Sequence, residues 1–218
     1  MVRLKLNYSK TNYNKLAIIG CGGHGRVVAD IALSINTYDK IVFLDDSAQI
    51  NNNEIPCIGT TELIEKLSSE YDFVVAIGSS KIRKKVTDKL NEYNAFIATL
   101  VHKSAVIGSV VTIGCGTVIM ACSVINAGVT IGNSCIVNTS SSVDHDCNIG
   151  DYVHIAVGSH LCGTVSVGEN TWVGAGSIVI NNIDICADCM IGAGAVVVKN
   201  IDKSDTYVGV PAKIICKS

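Results

Sequence analysis

Between Ser104 and Val143 the chain has no charged residue at all. A membrane-spanning helix needs about 20 mostly apolar residues in succession, but Gly, Ser, Thr and Asn break this stretch at a fixed period, so a span is excluded. No secretory leader is expected either. Met1 to Asn14 is polar and basic with no apolar core segment, so it reads as a disordered or loosely attached lead-in, and a cytoplasmic location is expected. A net charge of −2 without a basic run gives nucleic acid no footprint. Cys186 and Cys189 form a C-x-x-C, yet no second one completes a tetrahedral metal site. No metal is expected.

What is present is a repeat. Val101, Ile107, Ile113, Ile119, Ile125, Ile131, Val137, Val143, Ile149, Ile155, Leu161, Val167, Val173, Val179, Ile185, Ile191 and Val197 stand six apart without a miss. Six fits neither a lone helix nor a lone strand; it fits a coil of short strands, a β-solenoid. Four residues after each aliphatic comes a small or β-branched residue, such as Thr117, Ser123, Cys135, Ser141, Cys147, Ser159, Thr171, Ser177 or Cys189. Glycine often follows the aliphatic directly, as at Gly108, Gly114, Gly132, Gly150, Gly168, Gly174 and Gly192, where a corner is expected to need positive φ. With three hexads per triangular coil, residues eighteen apart stack at about 4.8 Å, and the register is expected to hold from Val101 to Ile201. The abundant cysteines then fall on structural registers, as small buried side chains in a reducing compartment.

The composition changes near residue 100, and most charge lies before it. Leu16–Ile19 reads as a strand running into Gly20-Cys21-Gly22-Gly23-His24-Gly25 and a helix from Arg26 to about Ile35. Gly20, Gly22 and Gly25 satisfy G-x-G-x-x-G in a strand-turn-helix context. A second strand, Ile41–Leu44, ends in Asp45-Asp46, and a third, Asp72–Ile77, runs into Gly78 and a charged helix. This is a βαβαβ half-Rossmann unit, able to hold one nucleotide at its strand C-termini. Backbone N–H groups of Gly22 to Gly25 suit a pyrophosphate, Asp45 and Asp46 suit a ribose or uridine, and His24 can reach a phosphate or sugar. The glycines also fit a plain tight turn, and the aspartates a solvated strand end.

Histidine placement carries the chemistry. His145, between Asp144 and Asp146, occupies a corner or face of the solenoid, and an imidazole beside a carboxylate is a candidate general base. His154 precedes the inward Ile155, so it is expected to point outwards. His102, at the solenoid entrance, has a structural role as readily as any other.

The hexads, Asp144-His145-Asp146, His154-Ile155-Ala156-Val157-Gly158 and Tyr207-Val208-Gly209-Val210-Pro211-Ala212-Lys213 resemble the left-handed β-helix acyltransferases. With the glycine-rich head and Asp45-Asp46, the chain looks like the PglD/NeuD-type nucleotide-sugar N-acetyltransferases that acetylate a 4-amino-4,6-dideoxy sugar, here most simply UDP-linked. The resemblance covers nearly all of the chain after residue 14. It implies an N-terminal Rossmann-like nucleotide-sugar domain over residues 15–99 and a left-handed parallel β-helix over 100–218. It also implies a homotrimer with acetyl-CoA between neighbouring solenoids and no metal. On that resemblance His145 is the base and Asp146, where glutamate is usual, its carboxylate partner; His154, Ala175 and Ala193 contact acetyl-CoA. Gly22, Gly23, His24, Asp45, Asp46 and Gly78 hold the nucleotide sugar. Alternatives are a sialic-acid or related sugar O-acetyltransferase, a nucleotidyltransferase, for which the head lacks length and a lysine-rich glycine loop, and a non-catalytic trimeric scaffold or ice-binding solenoid.

Overall fold

The computed structural model describes residues 11–47 and 54–215, and most of the expected loose tail lies outside them. The described end of the tail is tied down: the N–H groups of Asn12 and Tyr13 donate to the Asp72 carboxylate. The head contains β1 (Lys15–Ile19), α1 (Gly23–Ile35), β2 (Lys40–Leu44), β3 (Cys57–Gly59), α2 (Ile64–Leu67), β4 (Asp72–Val75) and α3 (Ser80–Glu92). Its sheet is parallel, in the order β3-β2-β1-β4. The near-continuous apolar runs of β1 and β4 are buried on both faces, as parallel strands between layers require. β3 was not anticipated, because three residues are too few to show a period. The chain winds outwards through β2 and β3, then crosses β1 to lay down β4. The order therefore reverses between β1 and β4, which is where a parallel sheet opens a ligand crevice.

From Leu100–Val101 to Val196–Val197, seventeen two-residue strands, β5 to β21, recur every six residues as a left-handed parallel β-helix. The second residue of each is the aliphatic of the period, pointing inwards. Ile107, Ile125, Val143, Leu161, Val179 and Val197 form one ladder in register. The small-residue register also points in: Thr117, Ser123, Ser159, Thr171 and Ser177 are fully buried. Their hydroxyls are satisfied by corner carbonyls, as in Ser123 to Met120 O at 2.7 Å and Ser177 to Gly174 O at 2.6 Å.

Two expectations need correction. Positive φ falls three residues after the aliphatic, at Val110, Gly116, Cys122, Ser134, Asp146 and their equivalents, not one after it. The glycines directly after the aliphatic are needed for closeness instead: a Cβ on Gly114 would lie 2.5 Å from the Gly132 carbonyl carbon, and one on Gly150 2.7 Å from Glu169 N. The register also tightens before Ile201. Ile201 bridges Ile185, and β22 (Thr206–Val208) pairs with Met190–Ile191, both sixteen residues on instead of eighteen. An antiparallel β23 (Lys213–Ile214) then closes the end.

The prism has three faces. The first, carrying β5, β8, β11, β14, β17 and β20, is covered by the head: its outward Leu100, Val118 and Ile136 share a core with Val28, Ile31 and Ala32 of α1. The second presents Val106, Val124, Ser142, His160, Ile178 and Val196, with no Asp, Glu, Lys or Arg. The third presents Thr112, Thr130, Asn148, Ser166 and Asp184. Arg83 of α3 rivets head to solenoid. It is 1 % exposed and donates to the carbonyls of Ile77, Gly78, Ser134 and Tyr152 at 2.6–2.8 Å.

Candidate active site

The corner between the second and third faces carries His145. Its Nδ1 is 2.9 Å from Asp146 Oδ2, and its backbone N–H donates to Asp144 Oδ1 at 2.8 Å. Asp144 Oδ1 also accepts from Asn126 Nδ2, one coil above, at 2.7 Å. The bond to Asp146, then the field of Asp144, raise the imidazole pKa above its ordinary value; the Asn126 bond, then the His145 N–H, hold Asp144 below its own. The ring is well exposed and lies over Gly163. A Cβ there would overlap Nε2 and come within 2.6 Å of Cε1. Gly128 makes similar room for Asp146, 2.5 Å from Oδ1 to where its Cβ would be. Neither glycine carries a sequence signal separating it from other corners.

His154 lies in β14 on the covered face. It points out of the coil as expected, but the head roofs it over, leaving 6 % exposed. Its Nε2 lies 3.1 Å from Asn138 Nδ2, its ring is 4.4 Å from that of Trp172, and the ring of His24 is 6.4 Å away. Burial, then the Arg83 charge, push His154 down to about 3 and His24 to about 4, so both are neutral at pH 7. His154 Nδ1 and His24 Nε2 are buried without a hydrogen-bond partner, an arrangement that needs explaining in a packed interior. Asn138, Trp172 and Arg83 were not singled out from sequence. The outward apolar row Leu100, Val118 and Ile136 was the available sign that this face is covered.

Gly22 caps α1, Gly23 and His24 form its first turn, and Gly78 precedes α3. The two helix N-termini therefore flank the crevice between β1 and β4. Neither has a side-chain cap or an acidic residue in its first turn, leaving N–H groups available to an anion. Gly22 and Gly23 have nothing within 4 Å of a would-be Cβ. Gly20, at φ +105°, and Gly25, where a Cβ would overlap Gly20 O, pack the helix onto the turn. Asp45 is already hydrogen-bonded within the chain. Burial would raise its pKa, but the Cys21 N–H at 2.8 Å and both donors of Ser47 outweigh it and hold it well below the carboxylate range. Asp46 accepts from the N–H and hydroxyl of Thr61. Both aspartates thus brace the loops bordering the crevice. Beside them a cavity of about 450 Å³ is lined by Cys21, Arg26, Phe43, Glu54 and Ile55.

Ala175 and Ala193 lie on the other edge of the second face, exposed and stacked below Val157. Among the described residues, the N–H groups of Val157, Ala175 and Ala193 donate to nothing. Thr139 and His145, at the same place in the repeat, are satisfied by the preceding Asn138 and Asp144 side chains; Ala156, Gly174 and Gly192 have no acceptor to offer. Gly158, Gly176 and Gly194 leave this edge open, with nothing within 4 Å of a would-be Cβ. Within one chain, His145 and this strip of free donors lie on different edges.

Residues 15–90 match the PglD N-terminal domain family. The acetyltransferase domain of PglB from Neisseria gonorrhoeae, solved with acetyl coenzyme A, is 40 % identical over 94 % of this chain and 100 % of that one, with a TM-score of 0.90. The chain belongs to the PglD-type sugar N-acetyltransferases. PerB from Caulobacter crescentus, solved with CoA and GDP-perosamine, is 34 % identical over 95 % of this chain and 100 % of that one, at a TM-score of 0.88. The UDP-N-acetylbacillosamine N-acetyltransferase of Bacillus subtilis is 37 % identical over 111 residues, 49 % of this chain. That match takes in about half, 51 %, of the Bacillus protein. Family membership also accounts for the association of a half-Rossmann head with a hexad solenoid.

Proposed function

We propose that the protein transfers acetyl from acetyl-CoA to the 4-amino group of a nucleotide-linked, most simply UDP-linked, 4-amino-4,6-dideoxy sugar. Residues 15–99 form the nucleotide-sugar domain, and residues 100–218 the transferase domain of a cytoplasmic homotrimer. The observation that carries the reading is the exposed His145–Asp146 pair on one edge of an uncharged face whose other edge bears a strip of unpaired amides. Packing three such faces about a common axis brings the His145 edge of one protomer against the amide strip of the next.

In that arrangement Gly22, Gly23, the α3 N-terminus and Gly78 hold the diphosphate. The unpartnered nitrogens of His24 and His154 meet polar groups of the bound substrates. The N–H groups of Ala175 and Ala193 donate to the amide carbonyls of the pantetheine arm. Asp146 accepts from His145 Nδ1–H, leaving the Nε2 lone pair to take the proton from the sugar amine as it attacks the thioester carbon. Much of the rate comes from holding the two reactants in register at a subunit boundary. Burial raises Cys21 to about 11 and Cys135 to about 12 and keeps Cys189 protonated, so these three thiols are poor nucleophiles; the reading is of direct transfer, without an acyl-enzyme.

The test is to incubate the protein with acetyl-CoA and UDP-, GDP- or dTDP-linked 4-amino sugars, with sialic acid alongside, and follow thiol release. Release with sialic acid alone would replace the N-acetyl reading by O-acetylation; a light-scattering mass of one protomer would remove the shared site.

A further inference from the structure

Head and solenoid are already joined by apolar packing of α1 on Leu100, Val118 and Ile136. Arg83, in α3, joins them a second time by a less favourable route. Its guanidinium is 1 % exposed and pairs with no carboxylate among the described residues. Burial pushes its pKa down to about 10, so it is still charged at pH 7. A buried charge without a counter-ion costs stability that apolar side chains of similar volume would not. Adhesion between the two parts therefore does not explain Arg83; the groups it bonds to do.

All four bonds end on backbone carbonyls. Nη1 donates to Ile77 O and Gly78 O, both at 2.8 Å, in the turn from β4 into α3. Nη2 donates to Tyr152 O at 2.6 Å, and Nε to Ser134 O at 2.7 Å. Ser134 and Tyr152 are equivalent corners at positive φ. Each stands two residues before a strand of the covered face, Ile136–Val137 and His154–Ile155. One planar group thus fixes both the turn that carries Gly78 and the corner that leads into His154. The same two places meet across one ring: that of Trp172 is 4.4 Å from the ring of His154, and its Cη2 is 3.9 Å from where a Cβ on Gly78 would be. A lysine could not span both, since its donors share a single nitrogen.

We infer that Arg83 is a positioning residue for the transfer, fixing the distance between the nucleotide-sugar turn at Gly78 and the strand that presents His154 to acetyl-CoA. It rests on the reading of Gly78 and His154 as contacts of the two substrates. Arg83 is sealed from both and acts only through the four carbonyls. Its loss therefore slows transfer between bound substrates more than it weakens the binding of either.

The test measures kcat, both KM values and Tm for Arg83→Lys, Arg83→Gln and a control, Thr87→Val. The lysine variant keeps the charge without the fork; the glutamine variant removes the unpaired charge and keeps a polar end. Thr87, one turn along α3, is 4 % exposed, and its hydroxyl lies 3.3 Å from Ser134 Oγ. Its replacement by valine loosens the same junction without reaching the Gly78 turn. At a temperature where each variant is folded, kcat should fall roughly 30-fold in both Arg83 variants, inside the 10²-fold scale of a small misplacement. Both KM values should stay within about threefold of wild type, and Thr87→Val should lower Tm while keeping wild-type kcat. An unchanged kcat in the folded Arg83 variants, an equal fall in Thr87→Val, or a loss confined to one KM overturns the inference. So does failure of both Arg83 variants to fold, which would make Arg83 a residue of the fold alone. Should wild type acetylate sialic acid and no amino sugar, the N-acetyl reading fails separately, and the ratio of variant to wild-type kcat on that acceptor still decides the role of Arg83.

Discussion

His145 and His154 lie nine residues apart in one repeat and occupy opposite environments. The first is exposed, flanked by carboxylates and raised in pKa; the second is roofed by the head, close to a buried guanidinium and pushed down to about 3. The same imidazole thus becomes a proton acceptor in one place and a permanently neutral hydrogen-bonding group in the other. The residue type does not assign the role; desolvation and neighbouring charge do. The contrast also separates the parts played by head and solenoid.

Replacing His145 by alanine should expose the difference most strongly. Turnover should fall by a factor on the order of 10² or more, the scale of a lost general base, with acetyl-CoA affinity retained; near-normal turnover of the folded variant would remove His145 from the chemistry. Gly163→Ala comes next. The new methyl must displace the imidazole, so kcat should fall roughly 30-fold, since small misplacements of a catalytic group cost up to about 10². An unchanged kcat would show that the ring has room to move. His154→Ala should act mainly on binding, raising KM for acetyl-CoA by roughly tenfold, the size of one lost hydrogen bond to a desolvated group. A fall in kcat equal to that of His145→Ala would erase the distinction between the two histidines.

The smallest effect concerns pH. Asp146 favours the imidazolium, so catalysis, which needs neutral His145, should rise with pH through a pKa above the ordinary histidine value. Asp146→Asn removes that bias and should move the acid limb of kcat/KM to lower pH, while costing kcat a few-fold through lost ring orientation. A limb that stays in place or moves up would detach Asp146 from the base.

Much of the fold could be read from the chain because a six-residue period leaves no freedom: every aliphatic of that period, from Val101 to Val197, ends one of the seventeen strands. The corner detail could not be read, since glycine spared for closeness and glycine spared for positive φ look alike in sequence, and only coil-to-coil contact separates Gly114 from Gly116. At the site, the corner position of His145 followed from register alone. The burial of His154 depended on how α1 and α3 dock, a long-range outcome written only faintly in Leu100, Val118 and Ile136. Asp45 and Asp46 illustrate the converse limit: their position at the end of β2 was plain, but the bonds they accept from Cys21, Ser47 and Thr61 were not.

The shortened last corner and the reversed strand that follows it have a colloidal consequence. Until Val197 each coil offers the next a full row of parallel partners, so a chain ending there would present a template on which the first coil of another molecule could continue, giving filaments. β23 runs antiparallel along β22 and places Lys213 at the rim. Growth along the solenoid axis is blocked there, leaving association to the sides of the prism, where the two halves of the proposed active site meet.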